Sequence, residues 1–80
     1  MNAEEIRLAQ LAPEEAAVVT SLAHAGALRR RLIELGLIEG THVRCVLRAP
    51  SGSPIAYQVR GATIALRRCD AETILVRPWE

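Results

Sequence analysis

Thr41-His42-Val43-Arg44-Cys45-Val46-Leu47-Arg48 sets the fold class, because here the chain takes up a period of two. Val43, Cys45 and Leu47 alternate with His42, Arg44, Val46 and Arg48. That pattern belongs to a strand with one buried face and one wet one. The loop-forming run Ala49-Pro50-Ser51-Gly52-Ser53-Pro54 follows. Alternation then resumes: Ile55, Tyr57 and Val59 against Ala56, Gln58 and Arg60, and Ala62, Ile64 and Leu66 against Thr63, Ala65 and Arg67. Gly61 between these two runs marks a tight hairpin. Thr73 to Arg77 reads as a last strand, with Ile74 and Val76 on one face and Pro78 as its stop. Asp70 reads as the cap of a short helical turn at Ala71-Glu72.

Upstream the period changes. Ala16 to Leu22 is apolar and β-branched at its centre, a strand with Ala17 and Val19 inward. The chain then turns so that Leu22 also packs inside. Gly26 opens a helix over Ala27 to Leu35, with Leu28, Leu32 and Leu35 on one stripe. Arg30 and Glu34 fall at i,i+4 as a helix-surface pair. Gly36 stands where a left-handed terminator is expected, and Leu37 supplies the accompanying apolar contact. Pro13 with Glu14-Glu15 is a turn that launches the first strand. Residues 1–12 read as an N-terminal arm or short helix, with Ile6, Leu8 and Leu11 able to dock, and residues 13–80 as the domain proper. Five short strands, with one helix between the first and second, predict a mainly β fold, a small barrel. Closing its sheet would remove exposed edges.

Eighty residues make one domain, with a thin aliphatic core, for Phe is absent. Net charge is +1, so no strong field favours nucleic acid or an acidic membrane. All ten basic residues are arginine. Two distant cysteines form no CxxC pair and no disulfide framework. Residues 1–10 carry no signal peptide, and no apolar run approaches the ~20 residues of a membrane span. The expectation is a cytoplasmic protein that does not insert into membranes.

The order of these pieces resembles the FeoA family. Residues 27–41, Ala27-Leu28-Arg29-Arg30-Arg31-Leu32-Ile33-Glu34-Leu35-Gly36-Leu37-Ile38-Glu39-Gly40-Thr41, are similar to that family's LRRRLxELGLxxGT signature. Leu47-Arg48-Ala49-Pro50, Ser53-Pro54-Ile55, Val59-Arg60-Gly61, Ile64-Ala65-Leu66-Arg67 and Ile74-Leu75-Val76 follow at the family's distances. The sequence departs from the pattern at Glu14-Glu15, Glu39, Ser53 and Ala62. The resemblance implies an SH3-like barrel similar to the C-terminal domain of metal-dependent repressors. It also implies an accessory role beside FeoB, a ferrous-iron transporter of the membrane with a cytosolic GTPase domain.

The residues themselves point away from catalysis. His24 and His42 are the only histidines, no Ser/His/Asp or Cys/His set has a reason to converge, and no GxxxxGK[ST] loop is present. No catalytic residue, cofactor or metal ligand set is assigned. Cys45 takes an inward position and His42 the opposite face, so they do not build a site together. The arginines carry the interaction hypothesis. Arg44, Arg48, Arg60 and Arg67 share the non-core parity of their strands, which predicts one basic patch on the barrel exterior. Such a patch would give register and steering against an acidic partner. Leu37 and Ile38, beside the helix C-terminus, add candidate apolar contacts. The partner implied by the resemblance is a FeoB-type transporter, and a second copy of the chain is a further candidate. Two alternatives are a metal-responsive module for iron or zinc through Cys45, Cys69 or the histidines, and a nucleic-acid-binding barrel. The latter is disfavoured because Tyr57 has core parity and Trp79 sits in the tail.

Overall fold

A computed structural model describes residues 4–22 and 25–79. His24 lies outside the described residues. The elements are β1 (Ile6–Arg7), a 3-10 turn (Leu8–Gln10), β2 (Ala16–Leu22), α1 (Gly26–Glu34), β3 (His42–Arg48), β4 (Ile55–Val59), β5 (Ala62–Leu66), α2 (Arg68–Ala71) and β6 (Ile74–Trp79). The strands form one antiparallel sheet in the order β1-β6-β2-β3-β4-β5. The fold is the expected small SH3-like β structure, with six strands rather than five. The added strand, β1, is only two residues long and has no alternation to betray it. The sheet curls without closing: β1 and β5 stand at its two ends. The 3-10 turn and α2 pack together.

The core is aliphatic with one aromatic. Leu8, Leu11, Ala17, Val19, Leu32, Leu37, Val43, Cys45, Ile55, Tyr57, Val59, Leu66, Ile74 and Val76 are buried together. Ile6, Leu22, Leu28, Leu35 and Ile64 pack against them. Each fully buried Leu, Ile or Val contributes about 1.5–3 kcal/mol of transfer free energy. Residues 6–11 belong to this core, because Leu8 and Leu11 are wholly buried. Tyr57 Oη donates to the Leu8 carbonyl at 3.1 Å, so the buried ring ties this segment down with a satisfied hydroxyl.

Two bulges decide which side chains face inward. In β2 the register shifts between Val19 and Ser21, so Ser21 is exposed and Leu22 turns back to the core as expected. In β3 it shifts between Cys45 and Leu47: Cys45 pairs with Tyr57, Leu47 with Ala56 and Arg48 with Ile55. This second shift overturns the simple alternation. Leu47 points out and is 63% exposed, and Arg48 takes the inward side. Two other expectations change. Pro78 does not stop the last strand: β1 begins at Ile6, opposite Val76, so among the described residues β6 has no strand partner on that side past Val76 to need the missing N–H. Asp70 is not the cap of its turn: it lies inside α2, preceded by Arg67 at the N-cap position.

α1 ends as its sequence requires. Leu37 N–H donates to the Leu32 carbonyl at 3.0 Å and Gly36 N–H to that of Ile33 at 2.9 Å, the paired bonds of a glycine terminator. Gly36 has φ +100°, and a β-carbon there would sit 2.9 Å from the Arg60 Cδ. Arg60 thus lies across the carboxyl end of α1, a favourable place for a cation.

Candidate functional site

The arginines expected to form one patch occupy three different settings. Arg44 and Arg60 come together. With Ala16, His42, Val43, Gln58, Gly61 and Trp79 they line a shallow depression of about 260 Å³. Cross-strand register builds it, because Arg44 stands opposite Gln58, and Gln58 opposite Thr63, on the outer face of β3, β4 and β5. His42 meets Trp79 edge-on, with ring centroids 4.7 Å apart. Trp79 is therefore part of the sheet face rather than a loose tail.

Arg48 is withdrawn from the surface. Its Nη2 donates to the Ala9 carbonyl at 2.7 Å and to the Leu11 carbonyl at 3.1 Å. The bulge in β3 turns the side chain under the 3-10 turn, where those carbonyls would otherwise lack partners. Arg48 holds structure and is removed from the outward patch. Arg67 is exposed but engaged: its Nε lies 3.2 Å from Asp70 Oδ2. That hydrogen bond and the carboxylate charge raise the Arg67 pKa further above its ordinary value. Arg68 makes the next pair, with Glu72 at 3.2 Å. Among the described residues the ion pairs are these two, so the expected Arg30–Glu34 pair does not form.

The apolar candidates also divide. Leu37 is wholly buried, because the terminator that uses its N–H turns its side chain into the core beside Leu32. Ile38 is 40% exposed and lines a groove of about 300 Å³ with Thr20, Ser21, Leu22, Arg29, Ile33 and Glu39. Val46 and Leu47 are a second exposed apolar pair, created by the β3 bulge. Reading the strand by alternation hides them. Two apolar residues side by side before an arginine are the signal that could have found them.

Cys45 is buried, and burial pushes its thiol pKa up, away from the thiolate that metals bind. Cys69 is exposed at α2. Among the described residues no three His, Cys, Asp or Glu side chains gather as a metal would need. Beside α1 lies a more enclosed groove of about 250 Å³, lined by Leu28, Arg31, Leu32, Ala65, Leu66, Arg67 and Asp70. Its walls are α1, which brings Arg31, and the end of β5, which brings Ala65 and Leu66.

This arrangement has relatives. The family model described as FeoA domain matches residues 6–78. The chain belongs to the FeoA family. A Porphyromonas gingivalis protein, the Fe(2+) transport protein A/Fe(2+) transporter FeoB fusion protein, is 32% identical over 71 residues. That match takes in 89% of this chain and 8% of the fusion protein. The solution structure of FeoA from Chlorobium tepidum superposes with a TM-score of 0.88 at 37% identity, covering 94% of this chain and 71% of that one. The Stenotrophomonas maltophilia FeoA complexed with zinc, described as an SH3 domain protein, superposes with a TM-score of 0.79 at 39% identity, over 89% and 88% of the two chains.

Proposed function

We propose that this FeoA chain is a non-enzymatic accessory that binds the cytosolic part of a FeoB-type transporter. One observation carries the reading: a relative holds a FeoA and a FeoB in a single polypeptide. Covalent joining keeps two partners at high effective concentration, which is useful when they must touch. The surface is suited to contact rather than chemistry. It offers Arg44 and Arg60 in a shallow depression, Arg67 at the start of α2, and Ile38 with Ile33 exposed beside α1. Among the described residues no helix is long and apolar enough to cross a membrane, in keeping with work at the cytoplasmic face of a transporter.

Calorimetry tests the proposal. The full chain is titrated into the isolated GTPase domain, and into the complete transporter in detergent. Binding to either one at tens of micromolar or tighter is expected. Heats no larger than dilution in both would remove the proposal. An anaerobic Fe²⁺ and Zn²⁺ titration of the chain, repeated with Cys45→Ser and Cys69→Ser, measures any metal affinity separately.

A further inference from the structure

β5 is a sheet edge with an unused ladder. Its register against β4 is fixed by the hairpin, where Val59 pairs with Ala62 across the two-residue turn Arg60-Gly61. Both turn residues have positive φ, 52° and 85°, as the turn that matches strand twist requires. The closing pair exchanges hydrogen bonds, and such pairs alternate along an antiparallel ladder. Ala62, Ile64 and Leu66 therefore bond to β4. Thr63 and Ala65 turn their N–H and C=O groups away from it. Among the described residues no strand pairs with β5 on that side, and both residues are exposed. The other end of the sheet is blunted: β1 has two residues, and the Arg7 N–H is taken by Gln10 Oε1 at 2.7 Å.

The surroundings favour a strand of particular chemistry. The groove between β5 and α1 has an apolar floor in Leu28, Leu32 and Leu66, with Arg31 on its wall. Arg67 and Arg68 have carboxylate partners, whereas Arg31 and Arg60 form no ion pair among the described residues. Near this edge Arg31, Arg44 and Arg60 stand against one carboxylate outside the ion pairs, Glu14, which shares a depression with Arg44 and Thr63, so the balance is positive. A second copy fits poorly. The antiparallel register that uses Thr63 and Ala65 of both chains sets Arg60 of each beside the Arg68–Glu72 pair of the other, whose carboxylate is already engaged. On the outer face, Thr63 continues the row of Arg44 and Gln58, so the edge runs into the basic depression.

We infer that β5 is a docking edge for an extended acidic segment of a partner protein, which adds as a seventh strand. Backbone bonds to Thr63 and Ala65 hold it, an apolar side chain enters the groove beside Leu28 and Leu32, and carboxylates meet Arg31 and Arg60. This deepens the partner-binding reading above and rests on it, yet its test does not need the transporter.

The probe is a capped heptapeptide, Glu-Thr-Val-Glu-Val-Thr-Glu, with its Lys-for-Glu counterpart, titrated into the full ¹⁵N-labelled chain. The expected result is saturable shifts centred on the Thr63 and Ala65 amides, slower exchange of both, and no such response to the Lys peptide. Arg31→Glu, an exchange at an exposed position of α1, should weaken the acidic peptide roughly five- to tenfold. Ala65→Pro removes one outward N–H and should abolish the response. If it unfolds, Thr63→Pro gives the same reading. Shifts confined to the Arg44 and Arg60 depression, equal binding of both peptides, or none up to millimolar would overturn the inference. So would concentration-dependent shifts at Thr63 and Ala65 without peptide, which would assign the edge to a second copy. Transporter binding that survives Arg31→Glu and the proline variants would leave the accessory role standing and overturn the docking edge.

Discussion

Replacing Arg48 by Met tests whether this arginine belongs to the architecture or to the binding surface. Methionine keeps an unbranched stem and deletes the guanidinium, leaving the Ala9 and Leu11 carbonyls without their donor. A hydrogen bond from a charged donor contributes about 1.5–3 kcal/mol. Both bonds come from one nitrogen in a partly buried setting, so they do not add in full, and about 2 kcal/mol is the expected loss. In a domain this small each kcal/mol moves the midpoint by about 4–8 °C, so Arg48→Met should melt about 8–16 °C below the parent. Urea denaturation followed by the single tryptophan supplies the free energy, with an unchanged m-value as the control for two-state behaviour. Stability within about 0.5 kcal/mol of the parent would mean that Arg48 does not hold the 3-10 turn, and the reasoning from the β3 bulge would fail.

Leu47→Ser checks the same bulge from the other side: an outward Leu47 loses no more than about 0.5 kcal/mol, whereas a core leucine would lose several. The only tyrosine, Tyr57, has its pKa raised well above the ordinary 10.0, chiefly by burial, and burial likewise raises the Cys45 thiol above 9.0. Both groups stay protonated when folded and ionise more readily when unfolded, so stability is fully present below about pH 9 and falls as pH rises through 10 and beyond. Ultraviolet titration should show phenolate appearing together with loss of structure, and a phenol that titrates near 10 in the folded chain would contradict this burial. A thiol reagent should modify one cysteine, Cys69, in the native protein and the second only after denaturation. Two equally fast thiols would refute the buried placement of Cys45.

Much of the fold could be read because single side chains repeat the period of their element. Leu28, Leu32 and Leu35 mark α1, and Gly36 ends it by a rule of backbone geometry. Ile55, Tyr57 and Val59 mark β4. The failures share a cause: they are set by tertiary pairing. Cys45, Val46 and Leu47 are all apolar, so nothing local shows where β3 slips a residue, and the slip carried Arg48 inward and Leu47 outward. Leu37 was expected both to complete the helix terminator and to stay exposed. The first requirement buried it. β1 is too short to have a period, and Pro78 stays in β6 because of a neighbour that ends early. The basic patch was half legible. Arg44 on β3 and Arg60 in the β4–β5 turn line one depression, while Arg67 is held by an acid three residues on.

β1 and β6 lie side by side and antiparallel, with Ile6 opposite Val76. The first and last strands therefore leave the domain at the same corner. A module with this wiring can be grafted onto another polypeptide through either end, or spliced into a surface loop, without threading the host chain across its working faces. The free rim of β5, at the other end of the sheet, would stay uncovered whichever end carried the tether, whereas a carboxyl-terminal tether would leave beside Trp79 and the depression it lines with Arg44 and Arg60.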